Sequence, residues 1–521
     1  MKPLLAALAA AAALSLGLPA AAAPGLPSTN VAWVPAASDA DVDRAFARAR
    51  TENRPVLLYW GATWCPPCNQ LKATLFNRQD FAAQSRAFVA VHVDGDRPGA
   101  QRISQRFKVG GYPTLVLFQP DGTEITRLPG EVDAAQVMAV LHLGMTGGRP
   151  VKAVLADARA GRSLPANEWR MLAYYSWETD EQQLVPKAEL PGVLARLAAA
   201  GPAQDPETTT RLWLKALSIA ADAKQPLPVD ASVRQRVEQL LADPVQARLH
   251  ADGVSGDAGA LVKALGGDDA AARARWALRF DAALRRLATD PALSRADRMS
   301  ALIARIELAR MDQPREAVQP SLPQALRAEV LEHAQRDDRE VTNPYERQAV
   351  VTAAAHALAR AGLWAESEAM LQANLARSHS PYYLMSQLGG NARRQGRTDD
   401  ALRWFEQAWE KSEGPATRLQ WGASYAAALV DLAPRDSARI ERVAAALIGE
   451  AAADPSGFEG RSLRSLQRLG SRLMAWNAAG AQEAVLQRLR AKLAPVCEQL
   501  RGQAERRTAC QGLLSRKEGQ A

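Results

Sequence analysis

Apolar positions follow one rhythm up to about residue 146 and another beyond it. Residues 55–60 form a short apolar run without helical period, residues 88–93 alternate with β-branched side chains, and residues 114–118 form a second apolar run. All three predict strands. Helices are predicted between them, after Cys65 and over residues 98–107, where Ile103 and Phe107 fall one turn apart. Upstream, Ser38 followed by Asp41 predicts a helix start, and Val42, Ala45, Phe46 and Ala49 then recur at helical spacing. Downstream, Pro120-Asp121-Gly122 supplies hairpin turn chemistry, residues 125–128 predict another strand and residues 133–143 a closing helix. The pattern predicts an α/β domain over residues 37–146, with a mixed central sheet flanked by helices. Gly144, Gly147, Gly148 and Pro150 mark its end.

Beyond Pro150 apolar residues keep helical spacing, Pro and Gly punctuate at intervals, and strand-like runs nearly vanish. A large all-α region is predicted: an array over 151–340, repeats over 341–435 and further helices over 436–521. The repeats rest on a period. Gly362 and Gly396, Asn374 and Ala408, and Pro381 and Pro415 are each 34 positions apart. Ala401, Trp404, Phe405, Ala408 and Trp409 then lie on one helical face. This segment resembles a tetratricopeptide repeat over about two copies.

The N-terminus carries Lys2, an apolar run from Leu4 to Leu18 and small residues up to Ala23, the pattern of a cleaved export signal over residues 1–22. Residues 23–36, rich in Pro, Ala and Ser, read as a connector. Over 521 residues, 47% hydrophobic and 23% charged residues argue for several globular domains and against disorder. The net charge of +8 is spread along helices among local acids, so no nucleic-acid tract is predicted.

Export places the chain where disulfides persist, and its four cysteines form two close pairs, Cys65 with Cys68 and Cys497 with Cys510. Two thiols separated by two residues at a helix start form a redox unit. The first sulfur sits at the positive end of the helix dipole, which favours its thiolate and lowers its pKa. Cys65 is therefore the expected nucleophile and Cys68 the resolving thiol. Pro66 and Pro67 restrict the loop between them. The pair Cys497 and Cys510, 13 positions apart, is expected to be a structural bridge. Six scattered histidines offer no ligand spacing, and no nucleotide fingerprint is present, so neither metal nor organic cofactor is predicted.

The residues Pro55-Val56-Leu57-Leu58-Tyr59-Trp60 leading into Ala62-Thr63-Trp64-Cys65-Pro66-Pro67-Cys68, together with Val109-Gly110-Gly111-Tyr112-Pro113-Thr114, resemble the thioredoxin family, including its cis-proline loop. The resemblance covers about a fifth of the chain. It implies that Pro113 is cis beside the active-site sulfurs, and that Trp64, Pro66, Pro67, Tyr112, Pro113 and Thr114 shape a substrate groove, Tyr112 and Thr114 through backbone groups. There are departures: Tyr59 stands where the family carries a buried carboxylate, Asn69 replaces a common lysine, and no histidine lies between the cysteines. The resemblance implies a periplasmic thiol-disulfide oxidoreductase, directed more toward reduction or isomerisation than oxidation. Disulfide-containing exported proteins are its implied clients, a membrane thiol-electron donor its implied source of electrons, and the helical region a protein-binding surface. The alternative is a helical scaffold or maturation factor whose thioredoxin-like part merely docks.

Overall fold

The structure, a computed structural model, describes residues 30–129, 133–181, 183–202 and 204–515. The expected export signal lies outside the described residues. Five strands form one sheet in the order β1-β3-β2-β4-β5: β1 (Val34–Ala36), β2 (Val56–Gly61), β3 (Val89–Asp94), β4 (Thr114–Phe118) and β5 (Glu124–Pro129). β1, β3 and β2 run parallel, whereas β4 pairs antiparallel with both β2 and β5. Around it lie α1 (Asp39–Glu52), α2 (Pro66–Thr74), α3 (Gln79–Gln84), α4 (Ala100–Arg106) and α5 (Ala134–Met145).

The apolar runs are explained by burial. Every residue of β2 is buried, so the strand reads as an unbroken hydrophobic stretch rather than an alternating one. Val56, Leu58 and Trp60 face a core with Val42, Phe46, Val91, Ile103 and Val116, while Leu57 and Tyr59 face the opposite one. Ser38 and Asp41 form the expected capping box at α1.

Two boundaries move. β1 lies inside the stretch expected to be a connector, because residues 34–36 pair in register with Val91, His92 and Val93, and Trp33 packs on Tyr59 and Phe76. Three residues are too few for a hydrophobic period to register. Likewise, the glycines before Pro150 do not separate two cores. Leu57, Leu115, Leu117 and Leu141 belong to the same cluster as Val154, Trp169, Leu172, Leu194 and Leu212. Arg127 of β5, fully buried, donates to the carbonyls of Phe107 (2.7 Å), Lys108 (2.5 Å) and Thr179 (3.3 Å), and so ties the sheet edge to the helical region.

Among the described residues beyond Val151 the regular elements are helices. The 34-residue spacing appears as matched geometry. Gly362 and Gly396 both adopt positive φ (77° and 72°), which favours glycine, and Pro381 and Pro415 each begin a helix, Pro381–Arg394 and Pro415–Leu432. The array returns to the sheet. Helices Arg295–Ala309, Pro344–Arg360, Pro381–Arg394, Pro415–Leu432 and Gly460–Trp476, or the turns just before them, reach α2 and the loops at the ends of β2, β3 and α4.

Candidate active site

Cys65 is the N-cap of α2, and Cys65 and Cys68 are joined as a disulfide with Cα atoms 5.2 Å apart. A helix start normally offers several free N–H donors. Here Pro66 and Pro67 remove two of them, so the Cys68 N–H donates to Cys65 Sγ (3.2 Å) and the Asn69 N–H to the Cys65 carbonyl (3.0 Å). Stabilisation of a Cys65 thiolate therefore falls on one backbone donor and the helix dipole. Asn69, fully buried, donates through Nδ2 to the carbonyls of Thr63 (2.7 Å) and Cys65 (2.9 Å) and holds the loop in place.

The Tyr112–Pro113 peptide is cis, and Tyr112 packs against the cluster of Ala62, Cys65 and Cys68. Its hydroxyl accepts from Gln101 Nε2 (2.9 Å). On β2, Tyr59 stands at the position of the missing carboxylate. Its ring stacks on His92 (centroids 4.9 Å apart) and meets Phe76 and Trp33 edge-on or tilted, and its hydroxyl lies over Gly61, where a Cβ would come within 2.4 Å. Burial pushes the Tyr59 hydroxyl far above its ordinary value and brings His92 down to about 4, so both are neutral near pH 7. Lys72, one turn past Cys68 on α2, is also held below its ordinary value by burial.

The helical region covers this site. Trp64 Nε1 donates to Thr417 Oγ1 (2.9 Å), and the Trp64 ring stacks on Tyr383 and meets Trp421 edge-on. Arg461 lies over both the Trp64 and Tyr112 rings, 5.2 Å from each centroid, and pairs with Asp96, which also accepts from Thr417. Burial raises the Asp96 carboxyl above its ordinary value, and Arg461 and Thr417 oppose that rise. Gln348 donates to the Trp64 carbonyl (3.4 Å), His379 Nε2 lies 3.1 Å from that of Thr63, and Gln70 donates to Asp297 (2.7 Å). Cys65 is 2% exposed and Cys68 not at all.

A thioredoxin-like domain family matches residues 42–144. These residues form a thioredoxin-like domain. Two similar proteins are from Pseudomonas aeruginosa. Thiol:disulfide interchange protein DsbD 2 is 32% identical over 116 residues, covering 22% of this chain and 20% of that protein. Thiol:disulfide interchange protein DsbD 1 is 32% identical over 126 residues, covering 23% and 21%. This chain therefore spans about a fifth of the length of the curated relatives it matches. Among solved structures, oxidised thioredoxin O1 from Arabidopsis thaliana is 21% identical and covers 21% of this chain and 95% of that one, with a TM-score of 0.19.

Within the thioredoxin-like domain the structure gathers Trp64, Cys65, Cys68 and Tyr112 into one cluster, with Pro66 and Pro67 half-buried at the start of α2. Pro113 is buried. Thr114 is fully buried and begins β4, directly after the cis-proline, opposite both Trp60 and Pro129. The other cysteine pair, Cys497 with Cys510, is also joined, between helices Glu483–Gln499 and Ala504–Gln511. A cavity of about 310 Å³ opens on the cis-proline loop, lined by Pro113, Glu178, Arg211, Lys215, His250 and Asp257, and neither active-site cysteine reaches it. Sequence reasoning missed Asp96, Tyr383, Thr417, Trp421 and Arg461. Apart from Asp96 they lie more than 300 residues from Cys65 and sit in ordinary helical patterns, so no local signal marks them.

Proposed function

We propose that this chain is an exported, periplasmic thiol-disulfide oxidoreductase that reduces or isomerises disulfides of envelope proteins through Cys65 and Cys68. The observation that carries the reading is a disulfide joining the N-cap and the third residue of α2, packed against the residue that precedes a cis-proline. In the reduced enzyme the Cys65 thiolate attacks a client disulfide. A Cys65–client S–S bond forms, and the displaced client thiolate takes a proton from water. Cys68 then loses its proton and attacks Cys65 Sγ, which releases the second client thiol and closes the Cys65–Cys68 bond. Two electrons pass to the client, and a donor dithiol, in keeping with the named role of the interchange relatives, restores the pair. The absence of an imidazole between the cysteines favours the reducing direction.

Insulin reduction by dithiothreitol tests the reading: wild-type protein accelerates it and Cys65→Ser abolishes the acceleration. Equal rates for the two proteins contradict it. A Cys68→Ser variant should accumulate client mixed disulfides on Cys65.

One observation favours a second reading. Because the helical region covers the disulfide, the thioredoxin-like domain also fits a docking element within a helical scaffold or maturation factor. A Cys65→Ser, Cys68→Ser double variant separates the two: a scaffold keeps its cellular function without the thiols, whereas the oxidoreductase loses it.

A further inference from the structure

The helical region is attached to the thioredoxin-like domain in two different ways. Over residues 151–216 the attachment is one continuous apolar core, shared by Leu57, Leu115, Leu141, Val154, Trp169 and Leu212. Beside the disulfide, helix Pro344–Arg360 packs along α2, whereas the face formed by helices Pro381–Arg394, Pro415–Leu432 and Gly460–Trp476 meets the site through a small aromatic patch, Trp64 with Tyr382, Tyr383 and Trp421, rimmed by polar and charged pairs. The first kind of contact is that of a single folded body. The second resembles the smaller, more polar interfaces across which domains move.

Residues on the helical side are shaped for this closure. Gly414 and Gly460 both adopt positive φ, and at both a side chain would collide with the thioredoxin-like domain: a Cβ at 414 would come within 2.6 Å of the Asp96 carbonyl oxygen, and one at 460 within 3.0 Å of the Gln101 carbonyl oxygen. The next residue, Arg461, donates its backbone N–H to Gln101 Oε1 (2.8 Å) and places its guanidinium on Asp96. The closed face is also imperfect. Trp421 Nε1 and Arg461 Nε are buried without a hydrogen-bond partner, an unfavourable feature that opening relieves. Exchange requires a client sulfur to reach Cys65 Sγ, and the closed form leaves Cys65 2% exposed.

We propose that the helical region is a self-docked cover over the Cys65–Cys68 pair, latched by Arg461 on Asp96, and that the face carrying Thr417, Trp421 and Arg461 must lift from Trp64 and Tyr112 before a protein client can react. The closed arrangement protects the pair from adventitious thiols and admits clients only after local opening. The biological purpose rests on the oxidoreductase reading, but the cover itself does not.

The test is alkylation of Cys65 by iodoacetamide in the pre-reduced full chain, followed by peptide mass. In wild type Cys65 reacts well below the rate of a free thiolate. Arg461→Ala removes a charge-assisted contact and accelerates labelling about tenfold or more. Gly414→Ala, which crowds Asp96 without touching the charges, accelerates it in the same direction. In both variants the rate stays nearly independent of urea at low concentration, because a local opening exposes little surface. Wild-type labelling as fast as in either variant overturns the proposal. So does acceleration that climbs with urea along the slope of global unfolding, which makes the contact merely structural. Labelling needs no turnover, so faster labelling without insulin reduction keeps the cover and removes the oxidoreductase reading.

Discussion

The two disulfides of this chain are nearly equally hidden, yet their surroundings differ. Cys65 and Cys68 are 2% and 0% exposed, Cys497 and Cys510 3% and 0%. Cys497 and Cys510 belong to an apolar core with Leu469, Leu473, Leu489, Leu493 and Leu513. Around Cys65 and Cys68 lie the cis-proline loop, a single backbone donor and a cover held by Asp96, Thr417 and Arg461. Burial alone therefore does not separate the two pairs; on the proposed reading, the chemistry of what buries each one makes one a staple and the other a redox couple.

That contrast can be broken or sharpened by substitution. The largest effect is the loss of insulin reduction in Cys65→Ser. Replacing Cys497 and Cys510 together by alanine should leave that rate unchanged while lowering stability by about 3 kcal/mol, the expected effect of opening a loop of this length. Denaturant titration beside the insulin assay checks both halves. A fall in turnover at unchanged stability would erase the distinction between the pairs. The smallest effect concerns Tyr59, whose hydroxyl is buried without a hydrogen-bond partner and held well above its ordinary pKa by burial. Tyr59→Phe should change stability by no more than about 1 kcal/mol, in the favourable direction, and leave the exchange rate as it is. A tenfold slower rate would make Tyr59 the relay that replaces the family's carboxylate.

Much of the thioredoxin-like domain was legible because its signals are local. The capping box at Ser38, the buried run at 56–61, the Cys-Pro-Pro-Cys start of α2 and the proline at 113 each determine structure within a few residues. β1 was not, since its three residues are held by pairing with β3 and by Trp33 rather than by any period of their own. Thr114 shows the same non-local effect: its sequence neighbours point to the cis-proline loop, while its register is set by strands β2 and β5. The cover over the site was illegible altogether. Arg461 lies on a helix whose arginines recur every few residues, and only the return of the array to the sheet selects this one to meet Asp96, 365 positions away.

The account turns on Cys65 and Cys68 being an exchangeable couple, and equilibration of the full chain in graded redox buffers, with each disulfide resolved by peptide mass, measures this directly. The account predicts a potential for Cys65–Cys68 between about −270 and −120 mV, the span of dithiol oxidoreductases, with Cys497–Cys510 below about −300 mV. A Cys65–Cys68 potential also below about −300 mV would make both bridges staples and contradict the account.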